Sequence, residues 1–141
     1  MADTFSFDLV SPERRLAQLE AKEVQIPGAD GDLTAMPDHA PVITSLRPGL
    51  LRVVHAGGED EYVVSGGFAE ITAGAVSVLA EKSLHRTDVT QEIFDELLAE
   101  ARETHAKAVE NADNLPGPVD EAAKLLSDMV AMGEHIGLSA K

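Results

Sequence analysis

The 141-residue chain contains no cysteine. Disulfide frameworks, thiolate nucleophiles and cysteine-ligated zinc are thereby excluded, and a reducing compartment is allowed. Positive charge is scarce: 11 Lys and Arg stand against 25 Asp and Glu, giving a net charge of −14. The acids are spread along the whole chain, so no basic stripe exists to displace counterions from nucleic acid or to hold anionic lipid. No apolar run approaches the ~20 residues of a membrane span. The N-terminus, Met1-Ala2-Asp3-Thr4-Phe5-Ser6-Phe7-Asp8, lacks the basic region and apolar stretch of a signal peptide, so a cytosolic-side protein is expected.

Chemical constellations are missing as well. No two of His39, His55, His85, His105 and His135 have the spacing that sets a metal-ligand pair on one helical face, and none belongs to His-Glu-x-x-His. Asp30 and Asp32 beside Gly31 hold only part of a calcium loop; a hairpin turn is the simpler reading. No serine has a Gly-x-Ser-x-Gly setting. We expect no metal, no cofactor and no catalysis by this chain alone.

What is present is organised around residues 62–81. Two β-rich runs, 62–64 and 75–79, flank Gly66-Gly67 and the short segment Phe68-Ala69-Glu70-Ile71. Paired glycines inside strand-like sequence mark a bend, a bulge or a close backbone approach. A phosphate loop would need a lysine and a helix start after the glycines, and neither follows. Upstream, residues 4–10 alternate, with Phe5, Phe7 and Leu9 on one face, as in a half-buried strand. A turn at 11–14 leads to a second strand over 16–26, and the dense run Pro27-Gly28-Ala29-Asp30-Gly31-Asp32 is a turn. A short extended piece over 33–36, a strand over 42–46, and a hairpin of 50–55 with 59–64 around Ala56-Gly57-Gly58 complete the series. Short strands punctuated by Gly and Pro at intervals of roughly ten residues predict an antiparallel β-sandwich or flattened barrel.

Past Glu81 the period changes to three and four. Val89, Ile93, Leu97, Ala101, His105, Ala108 and Ala112 form a helical stripe that Phe94 and Leu98 widen. Asp88 with Gln91 three residues on reads as a capping box, with Asp as the cap. The helix should stop within 111–117, and Pro118 suits the first turn of a second helix. That helix carries the stripe Val119, Ala122, Ala123, Leu126, Met129, Val130, Gly133 and Ile136. The expected organisation is a β-sandwich over 1–84 and an antiparallel helical hairpin over 85–141. Each part carries −7, from 13 acids and six bases through residue 84 and 12 and five beyond it.

Two stretches, in this order and spacing, carry a family resemblance. One is Pro27-Gly28-Ala29-Asp30-Gly31-Asp32-Leu33 with Pro37-Asp38-His39-Ala40-Pro41 and Leu46-Arg47-Pro48-Gly49. The other is Ser65-Gly66-Gly67-Phe68-Ala69-Glu70-Ile71 with Val76-Ser77-Val78-Leu79-Ala80. End to end the chain resembles the epsilon subunit of the F-type ATP synthase, called delta in mitochondria. The resemblance implies a non-catalytic central-stalk subunit that binds the gamma subunit and the loops of the membrane c-ring, and so couples proton flow to ATP synthesis. It implies a place on the cytoplasmic face of the bacterial inner membrane, reached only through the complex. It also implies that Asp30, Asp32 and His39 face the c-ring, with Gly28, Gly31, Gly66 and Gly67 shaping turns and bends. Many bacterial relatives hold a regulatory ATP after the last strand; the matching positions here are Leu84, Thr90 and Ile93, so no nucleotide site is expected. In some relatives basic residues of the C-terminal helices meet acidic segments of the catalytic beta subunits and inhibit hydrolysis. The second helix here offers only Lys124, with Lys141 at the chain end, so weak inhibition is expected. Without the resemblance, the residues read as a soluble acidic sandwich with a helical hairpin, and the rival function is a free-standing ligand- or peptide-binding sandwich with a helical oligomerisation tail.

Overall fold

A computed structural model describes residues 3–111 and 116–138. It divides into two compact units, Met1–Asp88 and Val89–Lys141. The first holds eight strands: β1 Phe5–Val10, β2 Arg15–Ala21, β3 Glu23–Gly28, β4 Gly31–Ala35, β5 Val42–Ser45, β6 Gly49–His55, β7 Gly58–Ile71 and β8 Ala75–His85. They pair along the path β2-β1-β8-β7-β6-β3-β4, with β5 also on β7. The path begins and ends on different strands, so the sheet stays open and is not a barrel. All pairings are antiparallel except β1 with β8. Those two are the first and last strands, so no tight turn between them dictates an opposed direction.

The strands form where side-chain alternation can bury one face. Phe5, Phe7 and Leu9 are fully buried while Ser6, Asp8 and Val10 are not. The expected single strand over 16–26 is two strands, and the reason lies in its phase. Ala17 and Ala21 point inward, and so do Val24 and Ile26. Those two sets differ by an odd number of residues, so no continuous strand can bury both. The phase is reset at Lys22, whose amide instead donates to Val54 O at 2.7 Å. The expected turn over 27–32 is tighter than the sequence suggests: β3 runs to Gly28, β4 starts at Gly31, and Ala29-Asp30 alone make the turn.

The long strands β7 and β8 serve both layers of the sandwich. Along one edge of β7, residues 58–64 pair with β6 and residues 68–71 with β5. Between these stretches lie Gly66 at φ +73° and Gly67 at φ +94°, backbone that L side chains avoid. The β7–β8 register continues through the bend without a slip, from Ser65↔Lys82 to Gly67↔Ala80. The glycine pair is therefore a corner, and it turns β7 from one layer into the other. At Gly67 a β-carbon would overlap the Leu79 carbonyl oxygen, which is backbone and cannot swing aside. At Gly66 it would meet only the Glu81 side chain. Around this corner packs one core that includes Phe7, Leu9, Ile26, Leu51, Val64, Ile71 and Val76.

A single 3-10 turn, Arg86–Asp88, follows β8. In the second unit α1 runs Gln91–Glu110 and α2 runs Pro116–His135. The N-cap of α1 is Thr90, whose hydroxyl accepts from Ile93 N–H at 3.2 Å. This corrects the Asp88 cap expected above: Asp88 lies inside the 3-10 turn, two residues before the position that caps α1. The buried line of α1 is Phe94, Leu98 and Ala101, with Ile93, Leu97, His105 and Ala108 only half-buried beside it. In α2, Ala122, Met129 and Met132 are buried, whereas Ala123 is exposed. A methyl on Gly133 would overlap the Phe94 ring, so the last turn of α2 lies over the first turn of α1 and the hairpin is antiparallel. Gly117 and Pro118 lie within α2, while Ala112 of the expected stripe is outside the described residues. The helix ends in a Schellman closure: Gly137 at φ +83° donates to Glu134 O at 3.1 Å, and Leu138 to Gly133 O at 2.8 Å.

The two corner glycines should differ in cost. We expect Gly67→Ala to lower the unfolding free energy by about 3 kcal/mol or more and Gly66→Ala by roughly 1–2 kcal/mol. The chain has one tyrosine, Tyr62 in β7, and no tryptophan, so urea unfolding followed by tyrosine fluorescence reports the sandwich alone. Equal losses would contradict the backbone overlap at Gly67.

Candidate functional site: an apolar sheet face and two polar loops

The outer face of the sheet formed by β5, β7, β8 and β1 carries large apolar side chains where alternation would place polar ones. Phe68 pairs with Leu79, and Leu79 pairs with Val10, which sets the three side by side. Ile43 lies in the adjoining row opposite Glu70. Ile43 is 71% exposed, Leu79 48% and Phe68 44%, against a core in which nearly every strand contributes residues below 3%. An exposed apolar group of this kind on a small domain is a candidate contact surface.

The charged residues that these four strands place on this face are acidic. Asp8 pairs with Ser77, which in turn pairs with Glu70, and Glu81 follows Leu79 on the same side of β8. Neither residues 66–81 nor β1 and β5 contain a Lys or Arg. Asp8 Oδ1 is buried and accepts no hydrogen bond from the described residues. A buried unpaired carboxylate oxygen is costly, and a cation brought by a partner would relieve it. The face thus suits a surface with an apolar centre and basic margins. Sequence alone did not reveal it, because which residues point outward depends on strand pairing. The available signal was phase: Leu79 interrupts the inward series Val76, Val78, Ala80.

The residues expected at a ring-facing surface occupy two loops. Asp30 is exposed in the two-residue β3–β4 turn, flanked by Gly28 and Gly31, which pair with each other. Asp32 is exposed too, yet its carboxylate is tied to the Arg47 guanidinium. Arg47 also donates to Gly28 O at 2.6 Å, and its amide donates to Pro27 O at 3.0 Å. The β3–β4 turn is therefore clamped to the segment that precedes β6. His39 lies in the loop between β4 and β5, half-buried, with Nδ1 2.6 Å from Ala40 O. Its neighbour Asp38 adopts φ +66° and donates its amide to Ala73 O at 2.9 Å.

These two loops do not form one cluster. Ala29 N–H bonds Ser45 O at one end of β5, whereas Asp38 bonds Ala73, past the Val42↔Ile71 pair at the other end. The length of β5 separates them by about 10–13 Å, so a surface meeting both must be broad. Of the positions matching a nucleotide site, Leu84 is half-buried in β8 opposite Val63, Thr90 spends its hydroxyl on the α1 cap, and Ile93 is half-buried. Among the described residues no group of three or more His, Asp or Glu could hold a metal ion, and no helix is long and apolar enough to cross a membrane.

Comparison with known proteins agrees with this architecture. Residues 4–85 match the family described as ATP synthase, Delta/Epsilon chain, beta-sandwich domain. The chain is 57% identical over 138 residues to the ATP synthase epsilon chain of Rhodobacter capsulatus, covering 98% of this chain and 100% of the relative. It is 54% identical over 138 residues to that of Ruegeria sp. (strain TM1040), with coverage of 98% and 100%. The Paracoccus denitrificans (strain Pd 1222) epsilon chain is 54% identical over 139 residues, with coverage of 98% and 94%. Among solved structures, a chain of the Euglena gracilis mitochondrial ATP synthase (OSCP/F1/c-ring, rotational state 1) superposes with a TM-score of 0.68 at 23% identity. That superposition covers 93% of this chain and 82% of the other, and speaks to the fold.

The Arg47 clamp has a measurable asymmetry. Arg47→Ala should cost about 1–2 kcal/mol, because it also strands the Gly28 carbonyl, whereas Asp32→Ala should cost less than about 1 kcal/mol, since Asp32 is a surface partner. Urea midpoints of the two variants check this, and the reverse order would contradict it.

Proposed function

The chain belongs to the ATP synthase delta/epsilon family, and from that premise we propose that it is a central-stalk coupling piece, docked on the gamma subunit through the outer face bearing Ile43, Phe68 and Leu79. As an epsilon-type chain it is a non-catalytic subunit. The observation that carries the docking assignment is the apolar group itself, exposed on a rigid sheet and bordered by Asp8, Glu70 and Glu81 with no basic residue among them. The two clamped loops turn Asp30, Asp32 and His39 toward the polar loops of the c-ring. The Arg47 clamp and the proline-rich sequence suit loops that transmit torque, since a loop held at both ends yields little. Attachment to the membrane is peripheral and passes through these partners, at the cytoplasmic face.

The helical hairpin is proposed as a weak regulator. Lys124, the one Lys or Arg in α2, is engaged by Asp128 at 2.8 Å. A helix whose cation is already paired, among Asp120, Glu121 and Glu134, meets an acidic catalytic subunit with repulsion. ATP does not serve as a ligand of the hairpin: Thr90 caps its helix, and Ile93 supplies no cation.

Phe68→Glu and Leu79→Glu, each made in a chain whose fold is verified by tyrosine fluorescence, should weaken binding to purified gamma about tenfold or more. Unchanged affinity in both variants would remove this face as the docking surface, and a wild-type chain that stays monomeric beside gamma would favour the free-standing binding module. Removing residues 88–141 from the assembled complex should leave ATP hydrolysis close to that of the intact complex, and calorimetry should detect no micromolar ATP binding. A sharp rise in hydrolysis on deletion would contradict the regulatory reading.

A further inference from the structure

Two histidines far apart in sequence converge on one carboxylate. His55 ends β6, Asp60 lies near the start of β7, and His85 ends β8. His55 Nε2 is 3.0 Å from Asp60 Oδ2, and His85 Nε2 is 3.8 Å from Asp60 Oδ1. The far nitrogens have partners of a different kind. Gly57 N–H donates to His55 Nδ1 at 3.1 Å, and Thr87 N–H donates to His85 Nδ1 at 3.2 Å. Thr87 Oγ1 also stands 2.8 Å from that nitrogen.

A backbone amide can only donate, so each Nδ1 must present its lone pair. In the neutral state each ring therefore carries its hydrogen on Nε2, which lies 3.0 Å from Asp60 in His55 and 3.8 Å from it in His85. This rules out a metal centre here, since a metal would need the Nε2 lone pairs and the other tautomer would break both backbone bonds. Several charged and titratable neighbours have partners of their own. Arg86 pairs with Glu61 at 2.9 Å, Arg52 pairs with Glu59, and the Tyr62 ring meets His85 edge-on at a centroid distance of 5.1 Å. Burial, with Asp60 acting in the same direction, pushes the Tyr62 phenol up, so it stays neutral wherever imidazoles titrate. The side chains of His55, Asp60 and His85 are 22%, 34% and 35% exposed, open enough for protons to exchange with solvent.

We propose that His55, Asp60 and His85 form an acid-sensitive clasp between the β6–β7 hairpin and the 3-10 turn Arg86–Asp88, through which the chain passes into the helical unit. When His85 takes a proton from solvent, Nδ1 changes from acceptor to donor. Its new N–H is taken by Thr87 Oγ1, and the Thr87 amide loses its acceptor. The positively charged ring then faces the Asp60 carboxylate, whose Oδ1 is 3.8 Å from Nε2. The amide bond is held while the ring is neutral and is lost as pH falls. At the hairpin tip, a proton on His55 Nδ1 likewise removes the acceptor of the Gly57 amide. No covalent bond changes, and one proton is taken up per ring. Acidification thereby loosens residues 86–88, the covalent lead into α1.

The test uses the full chain, uniformly labelled with nitrogen-15. At about pH 8, long-range imidazole spectra should show both His55 and His85 in the Nε2–H form. Amide exchange at Thr87 and Gly57, corrected for the intrinsic effect of pH, should then become roughly fivefold faster on going to about pH 5. In His85→Asn the amide oxygen can accept at the Nδ1 position without titrating, so Thr87 should lose its pH dependence while Gly57 keeps it. An Nδ1–H tautomer at His85 in the wild type, exchange at Thr87 that ignores pH, or a pH response at Thr87 that survives His85→Asn would each overturn the proposal. The tautomer measurement needs no variant and stands even if His85→Asn does not fold.

Discussion

Every layer of the sandwich depends on the close approach of Gly67 to the Leu79 carbonyl. No β-carbon fits in that space, and the φ of +94° is one that only glycine adopts without strain. Because β7 can turn there without losing register with β8, one strand carries β6 on its first half and β5 on its second. The same turn fixes which side chains beyond it point outward. Phe68 follows Gly67 directly, and Leu79 is its partner across β8. The corner that builds the core thus also presents the apolar face.

The proposed coupling role asks for stiffness where force passes and adhesion where a partner docks. The stiffness comes from three ties that join separate elements: Arg47 to the β3–β4 turn, Asp38 to Ala73, and Lys22 to Val54. The adhesion comes from exposed apolar area with acidic margins. Strong net negative charge keeps such a surface from self-association, since copies of the chain repel one another, and it favours basic partners. The helical unit is built on a smaller scale. Its buried contacts rest on Phe94, Leu98, Met129 and Met132 among many alanines, so its own core contributes less per residue than the sandwich core.

Much of the fold was legible because local patterns set it. The Phe5, Phe7, Leu9 alternation, the Gly66-Gly67 corner and the Ala56-Gly57 turn each follow from a few neighbouring residues. The parts that were not legible depend on partners distant in sequence. The break at Lys22 shows as a phase change only when Ala21 and Val24 are both known to be buried. Thr90 rather than Asp88 caps α1 because the 3-10 turn consumes Asp88. Met132 fell outside the expected stripe, since Phe94 and Leu98 rather than Ile93 and Leu97 centre the contact. At the site, the exposure of Asp30 and Asp32 could be expected from turn chemistry, but the tie between Asp32 and Arg47 could not. The outward apolar group and the meeting of His55, Asp60 and His85 required the strand pairing itself.

The central claim is that two surfaces of one sandwich meet two different neighbours. The most direct measurement places a photo-activated cross-linker at Ile43 on the outer face and, in a separate preparation, at Asp30 in the β3–β4 turn, in native membranes containing the assembled complex. The account predicts that position 43 captures the gamma subunit and position 30 captures a c-ring subunit. Capture of the same neighbour from both positions, or recovery of the chain with neither, would contradict it.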